Sequence, residues 1–333
     1  MSFQKTYILT PPAPYRFEYF RKRVESSSNT YLYSIGDNRL SRAHIIGGRP
    51  VLVHVSAVET TAAQEAPRIT LDVHGAQDEA QADAAADIWR HMLSVDRPLL
   101  PFYEKVADDP VMQNLTAELS GLHLLLDSGP FESMILSIIG QQVNLTFAEN
   151  LKRGLVELCA SSIDVADSTH FAFPSPEQIA RLEYDQLRPL KFSQRKAEYV
   201  IDFSRGVADG RIDLAALETM SNEEAIDSLV KLRGIGRWTA ECVLLFGLGR
   251  PDLLPAADIG LRNAIQHFWG WDHQPTELEV RAFAQGWQGY ESYATYYLWT
   301  ALGLARAAQK QQKETTPTGR RKNSKIMAEQ DKE

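Results

Sequence analysis

Two glycines one residue apart, Gly234 and Gly236, sit inside Leu232-Arg-Gly-Ile-Gly-Arg-Trp-Thr-Ala240 between two helical patterns. Downstream, Asp258 opens a third helix in Pro255-Ala-Ala-Asp-Ile-Gly-Leu-Arg262. This arrangement constrains the chain more than any other. Gly234 can end a helix with positive φ, and Ile235 can plug back between the helices. Gly236 admits a close backbone approach, and the helix starting near Arg237 presents amides without intrahelical partners. With the helix dipole, those amides form an anion site that needs no side-chain charge. A tight turn between packed helices is the plainer alternative for a bare Gly-x-Gly. A plain helix cap is the corresponding alternative for Asp258.

Charge makes a backbone grip relevant. The net charge is −8, which argues against a protein that coats nucleic acid electrostatically. Residues 306–333 run the other way, with eight basic and four acidic side chains. Hydrophobic content of 44% over 333 residues is ordinary globular material with room for two domains. No stretch approaches the roughly 18 apolar residues of a membrane helix, and the N-terminus lacks the apolar core of a signal peptide. Cys159 and Cys242 have no metal-site spacing, so buried thiols in a reducing cytoplasm are expected. No metal or cofactor is implied, apart from a monovalent cation that hairpin backbone carbonyls can hold.

Residues 1–98 read as a small α/β module. Alternating runs at Thr30–Ile35, Pro50–Ser56 and Arg68–His74 predict strands, and Asp78–Val95 predicts a helix. His44, His54 and His74 share no ligand spacing and are expected to be ordinary strand residues. Residues 99–307 turn to helix after helix. Ser175-Pro-Glu-Gln178 and Ser221-Asn-Glu-Glu224 are capping boxes, and Asn144, Ser193 and Asp213 are further caps. The last helix is expected to end near Ala308, followed by a basic, disordered tail over 308–333. The fold class is therefore mainly α with an N-terminal antiparallel sheet and helix.

Leu232–Ala240 with Asp258 resembles the hairpin and required Asp of the helix-hairpin-helix DNA glycosylase superfamily. The bacterial 3-methyladenine DNA glycosylase II branch is the nearest match. The likeness extends over roughly 99–305, including Pro130–Gln142, Phe192–Val200 and Ser292–Trp299. It implies an enzyme that flips a damaged base from double-stranded DNA and hydrolyses its N-glycosidic bond. Asp258 is then the catalytic carboxylate, stabilising the oxocarbenium or activating water. Members that also cut the strand carry a Lys two positions after the second glycine. Trp238 stands there, which implies no lyase step.

The resemblance assigns the remaining roles. Gly234, Ile235, Gly236, Arg237 and Thr239 grip the strand, and Gln141 or Gln142 fills the gap left by the flipped base. Lys191 and Arg195, within a cluster that includes Arg188 and Lys196, touch phosphate. Trp238, Trp299 and Tyr293 form a pocket for alkylated purines such as 3-methyladenine or 7-methylguanine, whose positive charge an aromatic face attracts. Tyr296 and Tyr297 read better as core or surface than as pocket. Cys242 replaces a pocket Tyr of the branch, which leaves the substrate range open. A monomer in the cytoplasm, associated with the nucleoid, is expected. A glycosylase for deaminated or oxidised bases and a non-catalytic hairpin DNA-binding protein stand as alternatives.

Overall fold

A five-stranded antiparallel sheet forms the N-terminal layer, in the order β1-β5-β4-β3-β2. The computed structural model describes residues 3–26, 31–58, 67–165 and 168–315. The strands are β1 (Phe3–Leu9), β2 (Ser34–Gly36), β3 (Arg39–Ile46), β4 (Arg49–Val58) and β5 (Arg68–Ala76). Helices α1 (Phe17–Ser26) and α2 (Glu79–Met92) complete the layer, with Trp89 of α2 fully buried. The predicted α2 starts where expected, because the Asp78 side chain caps Gln81 N. Helix α1 and strands β1 and β3 lie where no such element was expected.

The rest is helical. In order come α3 (Leu100–Lys105), α4 (Pro110–Glu118), α5 (Pro130–Gly140) and α6 (Leu145–Cys159). A small hairpin of β6 (Ser162–Val165) and β7 (Ser168–Phe171) follows, which the sequence reading did not contain. Then come α7 (Pro176–Ala180), α8 (Tyr184–Leu187), α9 (Gln194–Ala208), α10 (Asn222–Leu229) and α11 (Arg237–Cys242). Helix α11 passes into a π turn, Val243–Gly247. The chain finishes with α12 (Ile259–Trp269), α13 (Glu277–Phe283) and α14 (Glu291–Thr315). Thus the last helix runs past Ala308 to Thr315, and the rest of the expected tail lies outside the described residues.

Helix α5 is the hub. Met134, Ile135, Ile138 and Ile139 are buried on it, as suits a helix apolar nearly all round. It packs against α6, α9, α11 and the π turn. Most buried apolar side chains form one cluster from Leu9 to Leu302, so sheet and helices share a core, with Ala43, Leu52 and Ala172 in a small second cluster. Ion pairing joins them too. Arg42 on β3 donates to both carboxylate oxygens of Glu132 on α5, each side chain 2% exposed. Tyr33 OH accepts from the same guanidinium at 2.9 Å. No described helix is long and apolar enough to cross a membrane.

Candidate active site

The hairpin forms as its glycines dictate. Helix α10, opened by the Ser221–Glu224 capping box, ends at Leu229. Gly234 then takes φ +86°, and Ile235 turns inward to 7% exposure. Gly234 also has no room for a side chain, since a Cβ there would lie 2.3 Å from the Tyr199 ring on α9. Gly236, exposed and extended, precedes α11 and leaves its first amides facing outward.

Asp258 caps α12, with Oδ1 accepting from Leu261 N at 2.8 Å. The same oxygen accepts from Trp299 Nε1 of α14 at 2.9 Å. Its other oxygen, Oδ2, accepts from Trp238 Nε1 of α11 at 3.2 Å. Three N–H groups from three helices therefore fix one partly exposed carboxylate, and the cap and site roles coexist. Trp238 is 44% exposed, which leaves ring surface open beside the acid. Trp299 is half-buried and stacks on Phe246 of the π turn, centroids 6.1 Å apart. Gly260 makes the close approach possible, because a Cβ there would meet Asp258 Oδ1 at 2.9 Å and Trp299 Nε1 at 3.0 Å.

The other expected residues fall into place unevenly. Gln141 ends α5, and its amide donates to Gly234 O at 3.1 Å and Thr239 Oγ1 at 3.2 Å. Gln141 is thus a strut between α5 and the hairpin. Gln142, next to it, is exposed in a left-handed conformation at φ +55°. The Thr239 side chain is buried at 3% exposure and accepts from that strut. Arg237 is held by Glu223 at 2.6 Å and Glu241 at 3.0 Å, so its guanidinium is committed within α10 and α11.

Tyr293 is a correction. It is 3% exposed and packs on Phe102 and Tyr290 in the core, which removes it from the pocket. Tyr296 and Tyr297 are buried, which decides for core between the core and surface placements expected of them. Lys191 and Arg195 are exposed before and on α9, whereas Lys196 is turned inward to the Ile139 carbonyl. Burial raises the Cys242 thiol above its ordinary range, with Asp258, Glu241 and Asp127 adding to the effect. The Leu232 and Gly234 carbonyls accept from Ile235 N and Gln141, which leaves each less free for the backbone cation expected there. Among the described residues no cluster of His, Cys, Asp or Glu could hold a metal.

Gly260 and Phe246 were not among the expected residues. Gly260 had a visible signal, being the small residue in the first turn after a capping Asp. Phe246 had none, because only the π turn brings it to Trp299.

Comparison with known proteins agrees with this geometry. Residues 135–288 match the family described as HhH-GPD superfamily base excision DNA repair protein. The chain is 32% identical over 274 residues to the DNA-3-methyladenine glycosylase of Bacillus subtilis, covering 82% of this chain and 89% of that one. It is 44% identical over 185 residues to the putative DNA-3-methyladenine glycosylase YfjP of the same organism, over 56% of this chain and 63% of the relative. The solved 3-methyladenine DNA-glycosylase from Archaeoglobus fulgidus shares the fold, with a TM-score of 0.75 at 23% identity over 88% of this chain and 97% of that one. The family match and the 32% identical relative covered over most of both chains lead to one assignment: the chain belongs to the HhH-GPD superfamily of base excision DNA repair proteins.

Proposed function

We propose that this protein is a monofunctional DNA glycosylase that releases alkylated purines such as 3-methyladenine and 7-methylguanine from double-stranded DNA. The carrying observation is the carboxylate of Asp258, oriented by three donors beside the exposed face of Trp238. Oδ1 is taken up by the helix cap and Trp299. Oδ2 has a single partner and is the oxygen available to a deoxyribose. Breaking the N-glycosidic bond builds positive charge on the sugar, and a fixed carboxylate lowers the cost of that charge without reorganising. The damaged base leaves, water adds at C1′, and an abasic site remains. The relatives named as DNA-3-methyladenine glycosylases support this substrate class.

The outward amides at Gly236–Trp238 take a strand phosphate, and Lys191 and Arg195 take others along the same face. In this reading Gln142, exposed beside the strut, fills the vacated stack. Leu145 (82% exposed) and Ile259 (58%) are apolar side chains that bound DNA would cover. Trp238 occupies the position where a lyase would need a lysine, so no imine with the sugar forms. We read the protein as acting as a monomer in the cytoplasm on nucleoid DNA.

The test is single-turnover base release from duplexes carrying 7-methylguanine or 3-methyladenine. Asp258→Asn should lower release by about a hundredfold or more, the scale of losing a preorganised electrostatic partner. DNA binding should persist, and borohydride should trap no covalent complex with the wild-type protein. Retained release in the Asn variant would sink the mechanism.

A further inference from the structure

Helix α5 ends at Gly140, and the Asn144 side chain opens α6 by capping Phe147 N at 2.8 Å. The short turn between the two helices is held from two directions. On one side, Lys196 of α9 donates through Nζ to the Ile139 carbonyl, an acceptor in the last turn of α5. On the other, the Gln141 amide directs its two N–H groups at the hairpin, to Gly234 O at 3.1 Å and Thr239 Oγ1 at 3.2 Å. The hairpin is in turn fixed to α9. Gly234 lies against the Tyr199 ring, and Arg233 pairs with Glu198 at 2.7 Å. The turn, the hairpin and α9 thus brace one another in a closed triangle, each side made by named residues.

Gln142 stands at the apex of the turn, exposed and left-handed at φ +55°. A residue with a side chain holds that conformation only where its surroundings impose it. Gln141, the residue before it, is the one anchored to the hairpin, so the strut also sets where Gln142 points. Gly234 therefore serves two neighbours. Its carbonyl takes the strut, and the chain two residues on turns its free amides outward at the start of α11. One side chain links the strand grip to the turn that carries Gln142.

We propose that Gln141 is a positioning residue for base flipping. It fixes the spacing between the hairpin, which holds the strand, and Gln142, which enters the stack as the lesion leaves. Gln141 acts through Gln142 and touches neither base nor sugar. The inference rests on the glycosylase reading above and on the place given there to Gln142. Gln141→Leu keeps the bulk and removes the donors. Gln141→Glu keeps the shape and turns an acceptor toward the Gly234 carbonyl. Either change uncouples grip from plug while leaving both present.

The test is single-turnover release of 7-methylguanine from two duplexes. In one the lesion is paired with cytosine; in the other it lies opposite an abasic site, so no pair has to be broken. A misplaced plug slows extrusion most where the base is paired. We expect Gln141→Leu and Gln141→Glu each to lose about tenfold or more on the paired lesion and no more than about threefold on the unpaired one. Affinity for undamaged duplex should stay within about threefold of wild type, because the outward amides are untouched. Gln142→Ala should show the same dependence on pairing. The double variant Gln141→Leu with Gln142→Ala should be no slower than the slower single one, as befits residues that act as a unit. Equal losses on the two duplexes overturn the proposal, since that is what a merely structural strut would give. So do losses that multiply in the double variant, a fall in undamaged-duplex affinity in step with activity, or release from the paired lesion within about twofold of wild type. A wild-type protein that releases 7-methylguanine from neither duplex defeats the glycosylase reading instead.

Discussion

Gly260 shows how little room the site leaves. Any side chain there meets both the carboxylate and the indole that orients it. Gly260→Ala should therefore shift Asp258 and slow base release by roughly a hundredfold, as small misplacements of a catalytic group do. Circular dichroism should stay near wild type, since the added methyl suits a helix. Asp127 gives a pH-dependent prediction. Burial and the neighbouring Glu132 make its carboxyl hold a proton more tightly folded than unfolded, about 6 against 3.8. Stability from this group is thus fully present below 3.8 and is lost as pH rises through 6. Asp127→Asn should raise Tm at pH 7.5 and lose that advantage near pH 4. An equal change at both pH values would refute this. Asp258 was legible in the sequence because a capping acid after a glycine hairpin is a local pattern. Phe246 was not, since only the π turn brings its ring to Trp299.

Among elements, the hairpin is the most sequence-determined. Gly234 combines φ +86° with contact on the Tyr199 ring. Gly234→Ala should cost more than about 1 kcal/mol, the usual range for compatible glycine sites being exceeded where φ is positive. Urea unfolding would measure it, and DNA affinity should fall as the turn shifts. Helix starts were equally readable. Asn144, Ser175, Ser193 and Ser221 all cap as expected. Asp213 bonds Ala215 N and Ala216 N but opens only a short 3-10 turn. Elements whose partners are distant were harder to read. Strand β3 buries Ser41, Arg42 and His44 beside its apolar residues, which hides the alternation that marks a half-buried strand. Helix α1 places Phe17, Phe20 and Val24 in the core, but its aromatic-rich opening also suits a strand. Tyr293 was hard to read for the opposite reason: its helix buries residues on several sides, so sequence position did not reveal that this tyrosine packs into the core.

At the scale of the molecule, the sheet layer is bolted to the hub helix by a buried ion pair. Arg42 and Glu132 have both left water, so losing one partner strands the other. Glu132→Leu alone should destabilise by about 3–5 kcal/mol, and adding Arg42→Met should recover much of the loss. Denaturant midpoints of the two variants would decide it; a double variant no better than the single one would mean the pair is itself a net stabiliser. The acid depends on an equally long-range arrangement. Trp238 precedes it in the chain, and Trp299 comes from α14, the last described helix. During synthesis the hairpin and Asp258 leave the ribosome before the second indole exists. An unfinished polypeptide can therefore cap α12 and pair Asp258 with Trp238, but the carboxylate gains its third donor only with α14, so the geometry proposed for base release is completed last of all.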